Sequence, residues 1–106
     1  MEIDDLRLEV LKALSDETRL KLLDYLKHGE EICVCEIERD FDKSQSTLSR
    51  HLKTLEDADI IKSRKVGIKK FFSIKDTQVF KILAVIDNLI KRNKKYEKII
   101  EIQQSL

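Results

Sequence analysis

The sequence has 106 residues, 42% of them hydrophobic and 39% charged, which excludes a disordered chain, and its apolar runs are too short for a membrane span of about 20 residues. The start of the chain is acidic and lacks the basic and apolar regions of a signal peptide, so we expect a cytoplasmic protein. The net charge of +1 is uneven, because residues 1–42 carry 13 acidic and 6 basic side chains whereas residues 43–106 carry 7 acidic and 15 basic. The second part therefore favours a polyanionic partner, although a solvated lysine-rich face would carry the same charge.

The first part of the chain has helical periodicity. We predict one helix from about Asp4 to Leu14 and a second that ends near Lys27. Ser15 or Asp16 is expected to cap the second helix, because either side chain can accept a hydrogen bond from a free backbone N–H group. The residues predicted to face inward from the second helix are Leu20, Leu23 and Leu26.

Two further helices follow a pair of cysteines. The third helix is predicted to start near Cys35 and to end near Phe41, with Ile37 and Phe41 facing the core. Ser44 is expected to cap the fourth helix. Its apolar residues follow i, i+4 and i+7 spacing and should pack against the third helix: Leu48, Leu52 and Leu55.

The periodicity then changes to that of strands. Ile61 to Val66 and Ile68 to Ile74 are predicted to form two strands joined around Gly67. This hairpin has six Lys or Arg residues between Lys62 and Lys75 and no acidic residue. Two alternative pairs are expected to anchor the strands to the core: Phe71 with Ile74, or Phe72 with Ile68.

We therefore predict a mostly α fold with a small β-hairpin wing, which is a winged helix-turn-helix. The chain is expected to be a single domain, with the helix-turn-helix at residues 35–58 and the wing at residues 61–74. A long last helix is predicted from about Asp76 to Gln103.

The fourth helix has the composition of a recognition helix, which lies in the major groove and presents polar side chains near its N-terminus. Gln45 can pair with adenine, and Arg50 with guanine or a phosphate. His51 either donates to a phosphate or is an exposed residue with no role. The wing cations would contact the DNA backbone or the minor groove and add salt-dependent affinity. The candidate DNA-binding residues are Ser44, Gln45, Ser46, Thr47, Ser49, Arg50, His51, Arg64, Lys65, Lys69 and Lys70.

Three runs of the sequence resemble the ArsR/SmtB family of metal-responsive transcriptional repressors: ALSDETRLKLLDYL, EICVCEIERDF and SQSTLSRHLKTLEDADIIKSRKVGIKKFFSI. The similarity covers Leu8 to Ile74 and keeps the family's order. It implies a homodimer built mainly from the first and last helices, here residues 1–14 and 76–106. It also implies binding to a palindromic operator in double-stranded DNA. The apolar residues that suit such an interface, or equally intrachain packing, are Leu6, Val10, Ile86, Leu89, Ile90 and Ile99.

In the family, the segment that resembles ICVCEI is a metal box, so the resemblance implies that Cys33 and Cys35 bind a thiophilic effector. As(III), Sb(III), cadmium, lead and zinc are candidates, because thiolates select soft ions, and no cofactor is expected to be obligatory. A single intervening residue makes an intramolecular disulfide awkward, and the cytosol would keep both thiols reduced.

The sequence also departs from the family. Arsenic-sensing members often have a third cysteine where this chain has Glu38, so a third ligand would come from an exogenous thiol or from the partner subunit. Whether Glu36 or Glu38 contributes is left open. The last helix contains no histidine, so the zinc site that some members build there is expected to be absent.

The leading hypothesis is a DNA-binding repressor that leaves its operator when a thiophilic ion binds the cysteine pair. One alternative is a redox-sensing regulator that uses the same thiols. Another is a protein-interaction module without DNA binding, against which the basic wing argues. The cysteines could also be small buried hydrophobes. We predict no enzymatic activity, because the chain has no CxxC in a βαβ setting and no nucleophile–base pair.

Overall fold

The elements of the fold are those of a computed structural model that describes residues 1–104. The chain divides after Asp76 into two units. Residues 105 and 106, which the predicted dimerisation segment 76–106 includes, lie outside the described residues. In chain order the elements are α1 (Ile3–Leu14), α2 (Glu17–Leu26), β1 (Ile32–Cys33), α3 (Val34–Asp40), α4 (Gln45–Asp57), β2 (Ile61–Val66), β3 (Lys69–Ile74), α5 (Gln78–Lys91) and α6 (Lys94–Gln104).

Helix α2 begins at a side-chain cap. The carboxylate of Asp16 accepts a hydrogen bond from the backbone N–H of Arg19 at 3.0 Å, which confirms the predicted capping role of Asp16. The prediction for Leu20 is wrong: it is 40% exposed, because it lies on the side of the helix opposite the buried face. That buried face consists of Thr18, Leu22, Leu23 and Leu26.

Helices α3 and α4 bury the predicted apolar residues. Ile37 of α3 is fully buried. Phe41 is only partly buried, and its ring meets that of Tyr25 edge-on with centroids 5.4 Å apart. Ser44 caps α4 as predicted, accepting from the backbone N–H of Thr47 at 3.2 Å. The buried residues of α4 are Leu48, Leu52 and Leu55, which confirms that the predicted stripe is buried. The main neighbours of α4 are β2, α2 and α1, however, and not α3 as predicted.

Helix α4 ends in a left-handed residue. Asp59 has φ 64°, and its N–H donates to the carbonyl of Glu56 at 2.9 Å. The N–H of Ile60 donates back to the carbonyl of Leu55 at 3.1 Å. These two bonds form a Schellman motif, which satisfies carbonyls at the helix end and directs the chain into β2.

The sheet has three antiparallel strands in the order β1-β3-β2. The short strand β1 was not predicted. The hairpin turn consists of Gly67, at φ 63°, and Ile68, since Val66 pairs with Lys69. Ile68 therefore lies in the turn and is fully exposed. The predicted anchoring pair of Phe72 with Ile68 is thus wrong for Ile68. Phe72 is buried and anchors the sheet.

The predicted last helix is two helices. Asn93 separates α5 from α6, and its side-chain oxygen accepts from the backbone N–H of Lys95 at 3.0 Å. Asparagine is a favoured N-cap residue, so it starts a new helix where a continuous one was expected. No helix within residues 1–104 is long and apolar enough to cross a membrane.

Candidate DNA interface and cysteine pair

One face of α4 is polar and open to solvent. Gln45, Ser46, Ser49 and Arg50 are exposed. The spacing of 3.6 residues per turn places Gln45 with Ser49, and Ser46 with Arg50, on adjacent rows of this face. These four side chains are available to contact base edges or phosphates.

Ser44 and Thr47 have internal partners instead. The hydroxyl of Ser44 donates to Oγ1 of Thr47 at 2.8 Å and also caps the helix, and it lies 3.3 Å from Oγ of Ser46. Thr47 is partly buried. The two residues therefore fix the start of α4, and any contact with DNA would compete with these bonds.

His51 does not face solvent as an idle surface residue would. Its side chain is 13% exposed, and Nδ1 lies 2.9 Å from Nη1 of Arg19 and 3.7 Å from Oδ2 of Asp16. Both partners belong to the beginning of α2. Nδ1 is therefore occupied by partners within the protein, so this nitrogen is not available for the predicted hydrogen bond from His51 to a phosphate.

The wing cations lie on two faces of the hairpin. Lys65 and Lys70 are paired across the strands, as are Arg64 and Phe71. Like charges directly opposite each other destabilise a strand pair, so an anion bound between Lys65 and Lys70 would relieve repulsion. Lys69 is exposed beside the turn. The Nζ atom of Lys70 lies 5.2 Å from the centre of the Phe72 ring.

Arg64 already has an anionic partner. Its Nε donates to Glu31 at 2.5 Å, and this hydrogen bond lowers the pKa of Glu31 and raises that of Arg64. Glu31 precedes β1 and is not part of the hairpin, so a hairpin without acidic residues is still partly neutralised. A phosphate would have to compete with Glu31 for this guanidinium.

A hollow of about 390 Å³ lies between the exposed polar face of α4 and the wing. Sequence analysis missed Lys53, which lies on the row of Gln45 and Ser49 and reaches this hollow; its i+8 spacing from Gln45 was the available signal. Lys53 also forms an exposed ion pair with Asp57 at 3.4 Å. The hollow is lined in addition by Val34, Glu38, Leu52, Glu56, Lys70 and Phe72.

The cysteine pair lies where β1 becomes α3. Cys33 is buried, and its register partner is Phe71 of β3. It is also the N-cap of α3, since its sulfur accepts from the backbone N–H of Cys35 at 3.3 Å. The helix therefore begins at Val34, one residue before the predicted start, and Cys35 lies exposed in its first turn.

The expectation of two separate thiols is wrong for this structure. Cys33 and Cys35 are joined in a disulfide, with their Cα atoms 5.1 Å apart. This separation is normal for a disulfide. The backbone makes it accessible because Cys33 is extended, with ψ 137°, and the chain turns into a helix at the next residue.

The residues near the pair offer two sulfur ligands to a metal ion. Within residues 1–104 there is no group of three or more His, Cys, Asp or Glu side chains placed to hold a metal. Reduction of the disulfide would be needed before either sulfur could act as a thiolate ligand.

Comparison with known proteins identifies the family. The model of the bacterial regulatory protein, arsR family, matches residues 16–63. An uncharacterized HTH-type transcriptional regulator of Methanocaldococcus jannaschii is 41% identical over 81 residues, which are 76% of this chain and 91% of that protein. The chain belongs to the arsR family. It is thus a DNA-binding transcriptional regulator, and the family resemblance carried by its sequence is confirmed.

Two further relatives of this arsR-family chain bear on its site. The arsenical resistance operon repressor of Staphylococcus aureus is 38% identical over 82 residues, or 77% of this chain and 71% of that protein. The homodimeric winged helix-turn-helix DNA-binding domain of Mycobacterium bovis, solved by NMR, has a TM-score of 0.71 at 26% identity and covers 85% of this chain and 82% of its own. The predicted winged helix-turn-helix fold is therefore confirmed.

Sequence analysis of this arsR-family regulator predicted α4 and the β2–β3 hairpin but missed two residues that contact them. Arg19 and Glu31 each contact a predicted DNA-binding residue more than 30 positions away, His51 and Arg64 respectively. Neither contact has a local sequence signal.

Proposed function

We propose that this protein is a transcriptional repressor that binds a palindromic operator as a homodimer, and that a change of chemical state at Cys33 and Cys35 releases it. The observation that carries this proposal is the position of Cys33. It caps α3, the first helix of the helix-turn-helix, and it pairs with Phe71 of the wing strand β3. A change at its sulfur therefore acts on both DNA-binding elements.

The DNA contacts are assigned to the exposed face of α4 and the wing. Gln45, Ser46, Ser49 and Arg50 read the major groove, and Lys65, Lys69 and Lys70 bind phosphates. Their lysine charges make affinity strongly salt-dependent, because each neutralised phosphate releases counterions.

The dimer is assigned to apolar side chains that the single chain leaves exposed. On α1 these include Leu6 at 43% and Leu11 at 56%; on α5 they include Val85 at 66% and Leu89 at 69%. Several exposed apolar side chains on one helix mark an interaction surface, and α1 and α5 each carry such a set. The homodimeric state of the M. bovis domain supports this assignment.

The first candidate trigger is a thiophilic metal or metalloid ion. The name of the S. aureus relative, an arsenical resistance repressor, supports it. The thiolates of Cys33 and Cys35 would hold the ion after reduction, and a third ligand would come from an exogenous thiol or the partner subunit. Such an ion would add positive charge and volume at the first turn of α3.

The second candidate trigger is oxidation, which the disulfide between Cys33 and Cys35 favours. Two thiols lose two electrons and two protons when the bond forms. A peroxide accepts them and becomes water and an alcohol or a second water. A thiol reductant reverses the step and becomes a disulfide itself.

Either trigger needs only a small coupling to release the operator. Two reading helices must fit grooves about one helical turn apart, so a tilt of α3 and α4 loses contacts at both half-sites. A coupling free energy of about 1–3 kcal/mol weakens binding roughly 5- to 150-fold.

A binding titration tests the trigger. The operator is first selected from a random duplex pool with reduced protein. Its affinity is then measured by fluorescence anisotropy with reduced protein, with reduced protein plus arsenite or cadmium, and after diamide oxidation. We expect tight binding in the reduced, ion-free state and loss of about 5- to 150-fold with the active trigger.

Variants assign the response to the sulfurs. Cys33→Ser and Cys35→Ser should abolish the response and leave reduced binding nearly intact, whereas Asp42→Asn, an exposed change in the turn after α3, should keep it. Unchanged affinity with both ions contradicts the metal trigger, and unchanged affinity after diamide contradicts the redox trigger.

A further inference from the structure

One guanidinium, that of Arg19 on α2, forms hydrogen bonds with both the end of α1 and the helix α4. Arg19 donates from Nε to the carbonyl of Ala13 at 2.7 Å and from Nη2 to the carbonyl of Lys12 at 2.9 Å. These carbonyls belong to the last turn of α1, where helices have unsatisfied acceptors. Its remaining nitrogen, Nη1, meets Nδ1 of His51 on α4 at 2.9 Å. One side chain of α2 thus joins the end of α1 to the middle of α4.

This contact fixes the protonation state of the ring. A guanidinium has only donors, so Nδ1 of His51 must accept, which requires a neutral imidazole with its proton on Nε2. A protonated ring would present an N–H to Arg19 and place two positive charges side by side.

The carboxylate of Asp16 is close enough to His51 to replace Arg19 as the partner of a protonated ring. Its Oδ2 atom lies 3.7 Å from Nδ1 of His51. The hydrogen bond from the backbone N–H of Arg19 lowers the pKa of Asp16, so Asp16 remains a carboxylate in mildly acidic solution. A protonated His51 therefore has a carboxylate acceptor near Nδ1, the same nitrogen that contacts Arg19 in the neutral ring.

We propose that Arg19 and His51 are positioning residues that hold α4 in its DNA-reading orientation on the end of α1, and that protonation of His51 breaks this hold and weakens operator binding. The inference rests on the proposed role of α4 in reading DNA. His51 is not part of the exposed face of α4 that is proposed to contact DNA, because its side chain faces the interior of the protein.

Three other charged side chains lie beside Arg19 at this junction. Glu9 and Lys12 of α1 and Asp57 of α4 line the hollow beside Arg19. Among the side-chain types found at this junction, imidazole is the one whose ordinary change of charge falls between pH 5.5 and 8. A pH dependence at this junction therefore points to His51.

The sign of the pH dependence separates this role from a phosphate contact. If His51 donated to a phosphate, protonation would strengthen binding at low pH. If it accepts from Arg19, protonation weakens binding at low pH. His28, the other histidine of the chain, is exposed and serves as the control.

The experiment measures operator affinity of the reduced protein by fluorescence anisotropy at pH 8.0, 7.0, 6.0 and 5.5. We expect affinity to fall about fivefold or more towards pH 5.5 in the wild type and in His28→Gln. His51→Asn should lose most of this dependence, because the asparagine Oδ1 is attached to Cγ as Nδ1 is and accepts from Arg19 at every pH. Arg19→Lys, which keeps the charge but not the three bonds, should bind weakly at every pH while keeping wild-type helicity.

A second readout needs neither DNA nor a variant. A ¹⁵N–¹H long-range correlation spectrum at pH 8.0 should show His51 as the Nε2–H tautomer. An Nδ1–H tautomer, an affinity that rises at low pH, or a His51→Asn profile like that of the wild type would each overturn the proposal. No binding to DNA at any pH would contradict the DNA interface as well, so the two failures are distinguishable.

Discussion

Cys33 lies directly opposite Phe71 in the β1–β3 pair, and its sulfur accepts the backbone N–H of Cys35 at the start of α3, at 3.3 Å. One residue thereby pairs with the wing strand β3 and caps α3, the helix that precedes α4 in the chain. The relationship gives a physical path by which a sulfur that touches no DNA can alter DNA binding.

The facing lysines of the wing predict a trade between stability and affinity. Lys65→Gln removes repulsion from Lys70, so the folded protein should be unchanged or stabilised by about 0.2–0.5 kcal/mol. Operator affinity should fall, and the slope of log affinity against log salt should decrease by about 0.9 for the lost phosphate contact. DNA-binding titrations between about 50 and 200 mM salt measure the operator affinity and its salt slope.

The matched control for the wing is Lys21→Gln. Lys21 is on α2 and pairs with Glu17 at 3.0 Å. Its replacement by glutamine should leave the salt slope of operator binding unchanged. An unchanged slope in Lys65→Gln would remove that residue from the interface.

Glu31 is predicted to restrain Arg64 from binding phosphate. Glu31→Gln should raise operator affinity a few-fold, because the guanidinium loses its ionic partner at 2.5 Å. Arg64→Gln should lower affinity, and the double variant should match Arg64→Gln alone. Glu30→Gln, a neighbouring exposed carboxylate, should give a smaller gain. Equal gains from the two glutamates would mean that only net charge matters.

The low pKa of Asp40 is predicted to depend in part on the hydrogen bond that Tyr25 donates to it. Hydrogen bonds from Arg39 and then from Tyr25, whose hydroxyl is 2.5 Å away, lower the pKa of Asp40 to about 2. Because the folded pKa is below the ordinary value, the stabilisation is present at neutral pH and is lost as pH falls from about 4 to about 2. In Tyr25→Phe the pKa should rise but stay below the ordinary value, since Arg39 remains. A carboxyl ¹³C titration by NMR measures it, and an identical midpoint in the variant would contradict the assignment.

The end of α4 offers a stabilising substitution. Asp59 has φ 64°, which costs a residue with a side chain more than it costs glycine. Asp59→Gly should raise the free energy of unfolding by about 0.5–1 kcal/mol, even though it removes the exposed pair with Lys75. Asp57→Gly, inside the last helical turn, should lower it by about 1 kcal/mol. Thermal unfolding of both variants checks the sign, and a destabilised Asp59→Gly would contradict the Schellman geometry.

Local signals were sufficient for the helix-turn-helix. Ser44 and the three buried leucines of α4 follow from capping and from helical spacing, which depend on neighbouring residues alone. The two-residue strand β1 is too short for an alternating pattern to reveal it, and the break at Asn93 is made by one capping residue inside an otherwise helical sequence.

Long-range pairing set the limits of the site prediction. The bonds of Arg19 to His51 and of Arg64 to Glu31 join residues 32 and 33 positions apart, so composition and spacing do not show them. For the same reason the sequence of the hairpin, which contains no acidic residue of its own, did not reveal that Glu31 pairs with Arg64. Two separate thiols were expected because the spacing made a disulfide awkward and the cytosol is reducing. The turn from extended Cys33 into α3 permits the disulfide.

The most direct test of the account is a hydroxyl-radical footprint of the reduced protein on a duplex selected from a random pool. The account predicts two protected half-sites related by twofold symmetry, with centres about one helical turn, or 10 base pairs, apart, and binding that weakens steeply with salt. Protection of a single unsymmetrical patch, or no salt-dependent binding to any duplex, would contradict it.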